Sequence, residues 1–137
     1  MRDPDRIRVL CVDDSTRLTE AWARFFRMQS DIELVGTLPS ADELLETLER
    51  LRPQVVLMDL TMDGRDPLDA IASATRRHPE VRIIVCTGRT DAEELCRAVD
   101  AGAWGCINKG HGPAEILDAV RRVARGQMPS QSPDSQV

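Results

Sequence analysis

The sequence predicts an α/β fold in three layers, a parallel sheet with helices on both faces. Three observations predict it. Short apolar runs alternate with segments of helical periodicity five times along the chain, the pattern of a parallel sheet built from strand–helix units. The central run, Val55 to Met58 (VVLM), is apolar at every position, too short for a helix, and bounded by Pro53 and Gly64. Such a run reads as a strand buried on both faces. It ends on Asp59, and in an open α/β sheet ligands gather outside the carboxyl ends of the strands.

Taken in order, Ile7 to Val12 (IRVLCV) reads as the first strand and stops at Asp13-Asp14-Ser15. From Arg17 the period changes, and Leu18, Trp22, Phe25 and Phe26 lie on one face of a helix. Ile32 to Thr37 is a second strand. Ser40 opens the pattern S-A-D-E, a capping box with Glu43, for a helix whose apolar stripe is Leu44, Leu45, Leu48 and Leu51. Pro53 ends it before the central strand.

After a loop from Leu60 to Asp66, Pro67 suits the first turn of a helix carrying Leu68, Ile71 and Ala72, closed by His78-Pro79. Val81 to Cys86 is the fourth strand and leads to Thr87-Gly88. Thr90 opens a second capping box, with Glu93, for a helix bearing Leu95, Ala98 and Val99. Gly102 ends that helix, and Trp104 to Asn108 makes a weaker fifth strand before Lys109. Pro113 starts a last helix with Ile116, Leu117, Val120 and Val123, closed by Gly126. The polar, proline-containing residues 127–137 read as a disordered tail.

The chain has 137 residues, enough for one domain with a proper core, and neither an internal repeat nor a second domain is visible. A net charge of -5 argues against a large nucleic-acid surface, which needs an excess of Lys and Arg on some face. No apolar run is long enough to span a bilayer, and the start MRDPDR lacks the apolar core of a signal peptide, so a cytoplasmic location is expected. Cys11, Cys86, Cys96 and Cys106 show no C-x-x-C spacing, and three of them lie in apolar strand-like runs, so buried, reduced thiols are expected rather than disulfides or a zinc site.

The chemistry is expected where the strands stop: Asp13-Asp14, Asp59, Thr87 and Lys109. In a parallel sheet these share one edge, so carboxylates, a hydroxyl and an ammonium converge. Carboxylates crowded together repel unless protonated or bound to a cation, and hard oxygen ligands with room for water suit Mg²⁺. Asp59 is then placed to attack a phosphoryl group and become an aspartyl phosphate. A metal held by Asp13, Asp14 and Asp59 would neutralise charge on the transferring oxygens, and Lys109 and Thr87 would contact others. Each residue also has an ordinary reading: Asp13-Asp14 as a helix cap, Asp59 and Thr87 as turn residues, Lys109 as a solvated charge. The coincidence of all of them at strand ends favours the site.

In VLCVDDS, VVLMDLTM, IIVCTG and AGAWGCINKG the chain resembles the receiver domains of two-component response regulators, over roughly Arg6 to Gly126. The resemblance implies a doubly wound, flavodoxin-like sheet of five parallel strands in the order 2-1-3-4-5 with five flanking helices. Residues 5–126 would form the receiver, and 127–137 a disordered tail or the start of an interdomain linker. It implies a cytoplasmic bacterial phosphoprotein that takes a phosphoryl group from a cognate sensor histidine kinase onto Asp59. Mg²⁺ would be held by Asp14 and Asp59, by Asp13 mostly through water, and by the backbone carbonyl of Thr61. Phosphate would draw Thr87 inward and repack the face of the fourth helix, fifth strand and fifth helix.

The stretch EILDAVRRVARG resembles receivers that precede a helix-turn-helix DNA-binding domain, so the chain is either a stand-alone receiver or a piece of a longer transcriptional regulator. The domain itself is expected to bind neither nucleic acid nor membrane. A homodimer through the first and fifth helices, or through the fourth-helix face, is the assembly the resemblance suggests. The chain departs from the family pattern at three places. Asp63 stands where Pro is usual and Pro67 where Gly is usual. Cys106 replaces the rotating aromatic three residues before the lysine. Gly110-His111-Gly112 follows Lys109 where Pro is common.

At Cys106 a small buried residue on an edge strand is a better reading than a redox centre. His78 and His111 are read as loop residues without a phosphotransfer role. Trp104 either packs partly in the core or marks a partner surface. Thr61 and Arg89, each two residues beyond a site residue, would tune the lifetime of the phosphoryl group. The expected function is a switch rather than an enzyme, with at most self-catalysed phosphorylation and dephosphorylation. One alternative is a degenerate receiver serving as a phosphorylation-independent interaction or dimerisation module, which Cys106 and Asp63 keep open. The other is a Mg²⁺-dependent phosphohydrolase with an Asp nucleophile. Its usual general acid, an Asp two residues on, is here Thr61, and there is no room for a substrate cap.

Overall fold

The computed structural model describes residues 5–88 and 92–129. Five strands, β1 (Ile7–Val12), β2 (Ile32–Leu38), β3 (Val55–Met58), β4 (Arg82–Thr87) and β5 (Gly105–Asn108), alternate with five helices. These are α1 (Thr16–Arg27), α2 (Leu44–Leu51), α3 (Pro67–Arg77), α4 (Ala92–Ala101) and α5 (Pro113–Ala124). The sheet runs β2-β1-β3-β4-β5, and every neighbouring pair is parallel, as the resemblance implies.

Strand alternation divides the core into two layers. Val9 and Cys11 of β1, Val55 and Leu57 of β3, and Ile84 and Cys86 of β4 face one side, where Trp22 and Phe26 of α1 and Ile116, Val120 and Val123 of α5 cover them. Leu10, Val12, Val56, Met58, Ile83 and Val85 face the other side, against Leu44 and Leu48 of α2, Ala70, Ile71 and Ala74 of α3, and Ala98 of α4. All four residues of β3 have no exposed surface, as expected for a central strand. The register carries Val12 beside Met58, so β1 and β3 stop level and deliver Asp13 and Asp59 side by side.

The helix ends follow local chemistry, with some corrections. Ser15 caps α1, its hydroxyl accepting from Leu18 N at 3.2 Å. Asp66 caps α3 through Leu68 N at 3.0 Å, with Pro67 in the first turn. The capping box expected at Ser40 does not form. Ser40 Oγ accepts from Asp42 N at 3.3 Å, closing a local turn, and α2 begins only at Leu44 with Glu43 as an N-cap that makes no side-chain bond. Hydroxyl side chains form such turns in competition with capping. The second expected box, at Thr90, lies outside the described residues. At the end of α4, Gly102 has φ +125°, and a Cβ there would strike the Thr75 side chain.

Two residues of the predicted stripes point outward. Phe25 is 38 % exposed and Val99 47 % exposed, because each lies at the margin of its helix's apolar arc. Cys11 and Cys86 are buried, and burial pushes the Cys86 thiol up to about 12 and the Cys11 thiol higher still. Cys96 is exposed on α4, which corrects the expectation of burial, and all four cysteines are free. Among the described residues no helix is long and apolar enough to cross a membrane.

Candidate functional site

Five residues read from the sequence meet at the carboxyl edge of the sheet. Asp13 follows β1 and Asp59 follows β3, each 4 % exposed and therefore buried. The backbone N–H of Asp59 donates to Val12 O at 3.0 Å, and that of Asp13 to Leu38 O at 2.9 Å, so ladder bonds fix both residues where the strands end. Thr87 is the last residue of β4 and is buried. Its carbonyl accepts from Lys109 N at 2.9 Å, which ties the end of β4 to the residue after β5.

The side chains converge. Asp13, exposed Asp14 and Asp59 each present a carboxylate oxygen within 4.8 Å of the others. Lys109 Nζ bridges two of them, 2.6 Å from Asp13 Oδ2 and 3.1 Å from Asp59 Oδ2. The remaining oxygens turn back to the chain: Asp13 Oδ1 accepts from Ser15 N at 2.8 Å, and Asp59 Oδ1 from Thr61 N at 3.1 Å. Ser15 therefore performs the capping that Asp13-Asp14 could have supplied, and the acidic pair is left to the site.

The electrostatics are unbalanced. Among the described residues, three carboxylates against one ammonium leave an excess of two negative charges. At 4.8 Å and an effective dielectric of about 20, two such charges repel by about 3.5 kcal/mol, less where Asp14 meets solvent. Burial alone would lower the Lys109 pKa, but the contacts with Asp13 and Asp59 outweigh it and hold the ammonium above its ordinary value. Lys109 is thus charged throughout the neutral range. Asp13 Oδ2 is buried, and the Lys109 ammonium at 2.6 Å is its partner. Carboxylates that crowd around one shared ammonium are costly to bury unless a further cation balances them. The donor set, hard oxygens with two charges in excess, fits a divalent cation of the Mg²⁺ type.

The surrounding departures also have structural answers. The turn after Lys109 is fastened by Asn108, whose Oδ1 accepts from Gly110 N at 2.7 Å and whose carbonyl accepts from His111 N at 3.0 Å. Cys106 lies half-buried on edge strand β5, against the layer that contains Leu95 and Ala101. Burial, with Cys96 nearby, raises its pKa, so it is a packed thiol rather than an activated one. His78 and His111 stand beside Glu80 and Glu115, at 3.6 and 2.8 Å. Trp104 carries the Arg82 guanidinium 4.7 Å above its ring. Arg89 lies outside the described residues.

Sequence reading passed over Ser15, Asp42 and Arg65. Ser15 was visible as an N-cap type directly after the acidic pair. Asp42 reaches the site's loop from 23 residues away and left no local signal.

Comparison with known proteins agrees with this fold. The family model of the response regulator receiver domain matches residues 9–121. The response regulator protein VraR of Staphylococcus aureus (strain NCTC 8325 / PS 47) is 35% identical over 121 residues, covering 88% of this chain and 58% of VraR. The chain thus spans little more than half the length of the curated relatives it matches. A LuxR-family two-component response regulator from Aurantimonas sp. SI85-9A1 superposes with a TM-score of 0.87 at 26% identity, covering 96% of this chain and 93% of that one. The signal receiver domain of the putative response regulator NarL from Mycobacterium tuberculosis gives 0.85 at 25% identity, covering 90% and 100%. With the fold, the strand order and the family model in agreement, the chain belongs to the response regulator receiver domains of two-component systems.

Proposed function

We propose that Asp59 is the phosphoacceptor of a Mg²⁺-dependent switch charged by a sensor histidine kinase. The observation that carries this reading is the convergence of three carboxylates within 4.8 Å, two of them bridged by Lys109. In the transfer, a carboxylate oxygen of Asp59 forms a bond to phosphorus as the phosphorus–nitrogen bond of the kinase phosphohistidine breaks. The imidazole leaves with its electron pair and takes up a proton. Thr61 N, already bonded to Oδ1 at 3.1 Å, fixes the rotation of the carboxylate. Lys109 is a mobile point charge that can follow an oxygen of the incoming group. Thr87 ends β4 opposite Asn108, with its carbonyl bonded to Lys109 N, and so carries a short hydroxyl side chain at the same edge of the sheet.

Asp13, Asp14, Asp59 and the backbone carbonyl of Thr61 are the residues that would hold Mg²⁺. When bound, the ion supplies neutralisation of the charge spread over the transferring oxygens. The product is a stored state and not a turnover, so the chain acts as a switch with at most self-catalysed loss of phosphate. The domain extends over residues 5–126, works in the cytoplasm, and passes its state to a partner or a second copy through the α4–β5–α5 face. With Cys106 there, that signal travels without a rotating ring.

The test is intact mass after incubation with Mg²⁺ and acetyl phosphate. One phosphoryl adduct on the wild type, and none on Asp59→Asn, is the expected result. Labelling that persists in Asp59→Asn refutes the assignment. A folded wild type that takes no adduct favours the phosphorylation-independent module.

A further inference from the structure

The loop from Leu60 to Asp66 carries the Thr61 carbonyl, and here it has Asp63 where the family usually places Pro. Its stiffness therefore has to come from somewhere else. Asp42, in the turn before α2, lies across it. Asp42 Oδ1 accepts from Arg65 N at 2.7 Å. The same carboxylate sits over Gly64, whose φ is +96° and where an added Cβ would fall 2.7 Å from Asp42 Oδ1. Only glycine meets both demands. Beyond the backbone bond, the Arg65 side chain continues onto α3, with Nε and Nη2 donating to Asp69 Oδ2 at 3.0 and 2.9 Å and Nη2 to buried Ser73 Oγ at 2.8 Å. Asp66 then caps α3.

The geometry points to Asp42 as a positioning residue for phosphoryl transfer: it latches Gly64 and Arg65 so that the loop holds the Thr61 carbonyl in place at Asp59. The inference rests on the reading of Asp59 as phosphoacceptor. One anchor comes from the β2–α2 turn and the other from α3, so the loop is pinned between two elements that flank the sheet. Ser40 contributes by bonding Asp42 N at 3.3 Å, which explains why the expected capping box is given up: the turn aims Asp42 at the loop rather than at its own helix.

The test compares full-length wild type, Asp42→Ala and Asp42→Asn. Three readouts are amide exchange over residues 61–66 without metal, Mg²⁺ affinity by chemical-shift titration, and the rate of adduct formation with acetyl phosphate. A thermal melt controls for general damage. Asp42→Ala should speed exchange at Arg65 and weaken Mg²⁺ binding by roughly three- to tenfold, the worth of one hydrogen bond, with a matching loss of rate and little change in melting. Asp42→Asn keeps the accepting oxygen and should stay near wild type. Mg²⁺ affinity and rate within twofold of wild type in Asp42→Ala would overturn the inference, as would an Asp42→Asn no better than Ala. A wild type that takes neither Mg²⁺ nor phosphoryl group overturns the parent reading as well, and is recognised before any variant is made.

Discussion

The two edges of the sheet handle charge in opposite ways. At the amino edge, three guanidinium groups are matched to acceptors, while Arg6 keeps a buried Nε without one. The Arg8 guanidinium donates to the Leu51 and Arg52 carbonyls, and Arg82 donates to Val123 O and Ala124 O at 2.7 and 3.0 Å while stacking on Trp104. Arg121 grips Asp31 through two bonds, at 2.8 and 3.0 Å, and reaches Gln29. At the carboxyl edge, among the described residues, three carboxylates converge around one ammonium that touches two of them. Matched charge serves structure, and unmatched charge waits for a ligand. Open space alone would point the wrong way: a hollow of about 310 Å³ lined by Arg52, Gln54, Glu80 and Arg82 lies at the amino edge, far from the acids.

If that contrast is right, the edges respond differently to perturbation. The largest effect is expected from Lys109→Ala, which removes the ammonium that bridges Asp13 and Asp59; adduct formation should slow by about 100-fold or more. Lys109→Arg should rescue only part of this, since a planar fork does not replace a point charge. Next, Mg²⁺ at about 100 times its Kd should stabilise the wild type by about 2.7 kcal/mol in thermal melts. Asp13→Asn or Asp59→Asn should lose most of that gain.

Arg82→Ala should cost about 2 kcal/mol of stability, from two charge-assisted bonds and the ring contact, while leaving the adduct rate unchanged. A slower rate in Arg82→Ala would break the separation of the edges.

The smallest effect is the response to pH. Lys109 has a raised pKa in the folded chain, so its contribution is complete below the ordinary lysine value of 10.5 and is lost as pH rises through the folded value. Asp31, lowered chiefly by its hydrogen bonds from Arg121, contributes above the ordinary 3.8 and loses that contribution as pH falls through its folded value. Melting against pH should therefore lose its alkaline limb in Lys109→Met and part of its acid limb in Asp31→Asn.

Much of this was legible because it is written locally. A fully apolar run such as Val55–Met58 can only be a strand with both faces covered, and an acid at its end has one place to be. The stripe of α5 came through intact, with Ile116, Leu117, Val120 and Val123 all buried. What escaped depends on contacts between distant segments. Ser40 has the chemistry of a cap, but Asp42 beside it is drawn to Arg65 N–H across the fold, and the turn follows that pull. Phe25 sits at the margin of a helical face, where a shift of one residue in the arc decides burial. Cys96, the one cysteine outside an apolar strand-like run, is exposed on α4, and Cys106 on the edge strand is only partly covered. Asp13-Asp14 had two readings until Ser15 was seen to hold Leu18 N and free the pair.

The central claim is that the unmatched edge directs phosphate to one carboxylate among three. Reductive trapping tests it most directly: the chain is treated with acetyl phosphate and Mg²⁺, reduced with borohydride, digested and read by peptide mass spectrometry. Homoserine at position 59, and at no other acidic residue, is the predicted result. Homoserine at Asp13, Asp14 or Asp63, or unmodified Asp59 in a chain that carries the adduct, would contradict it.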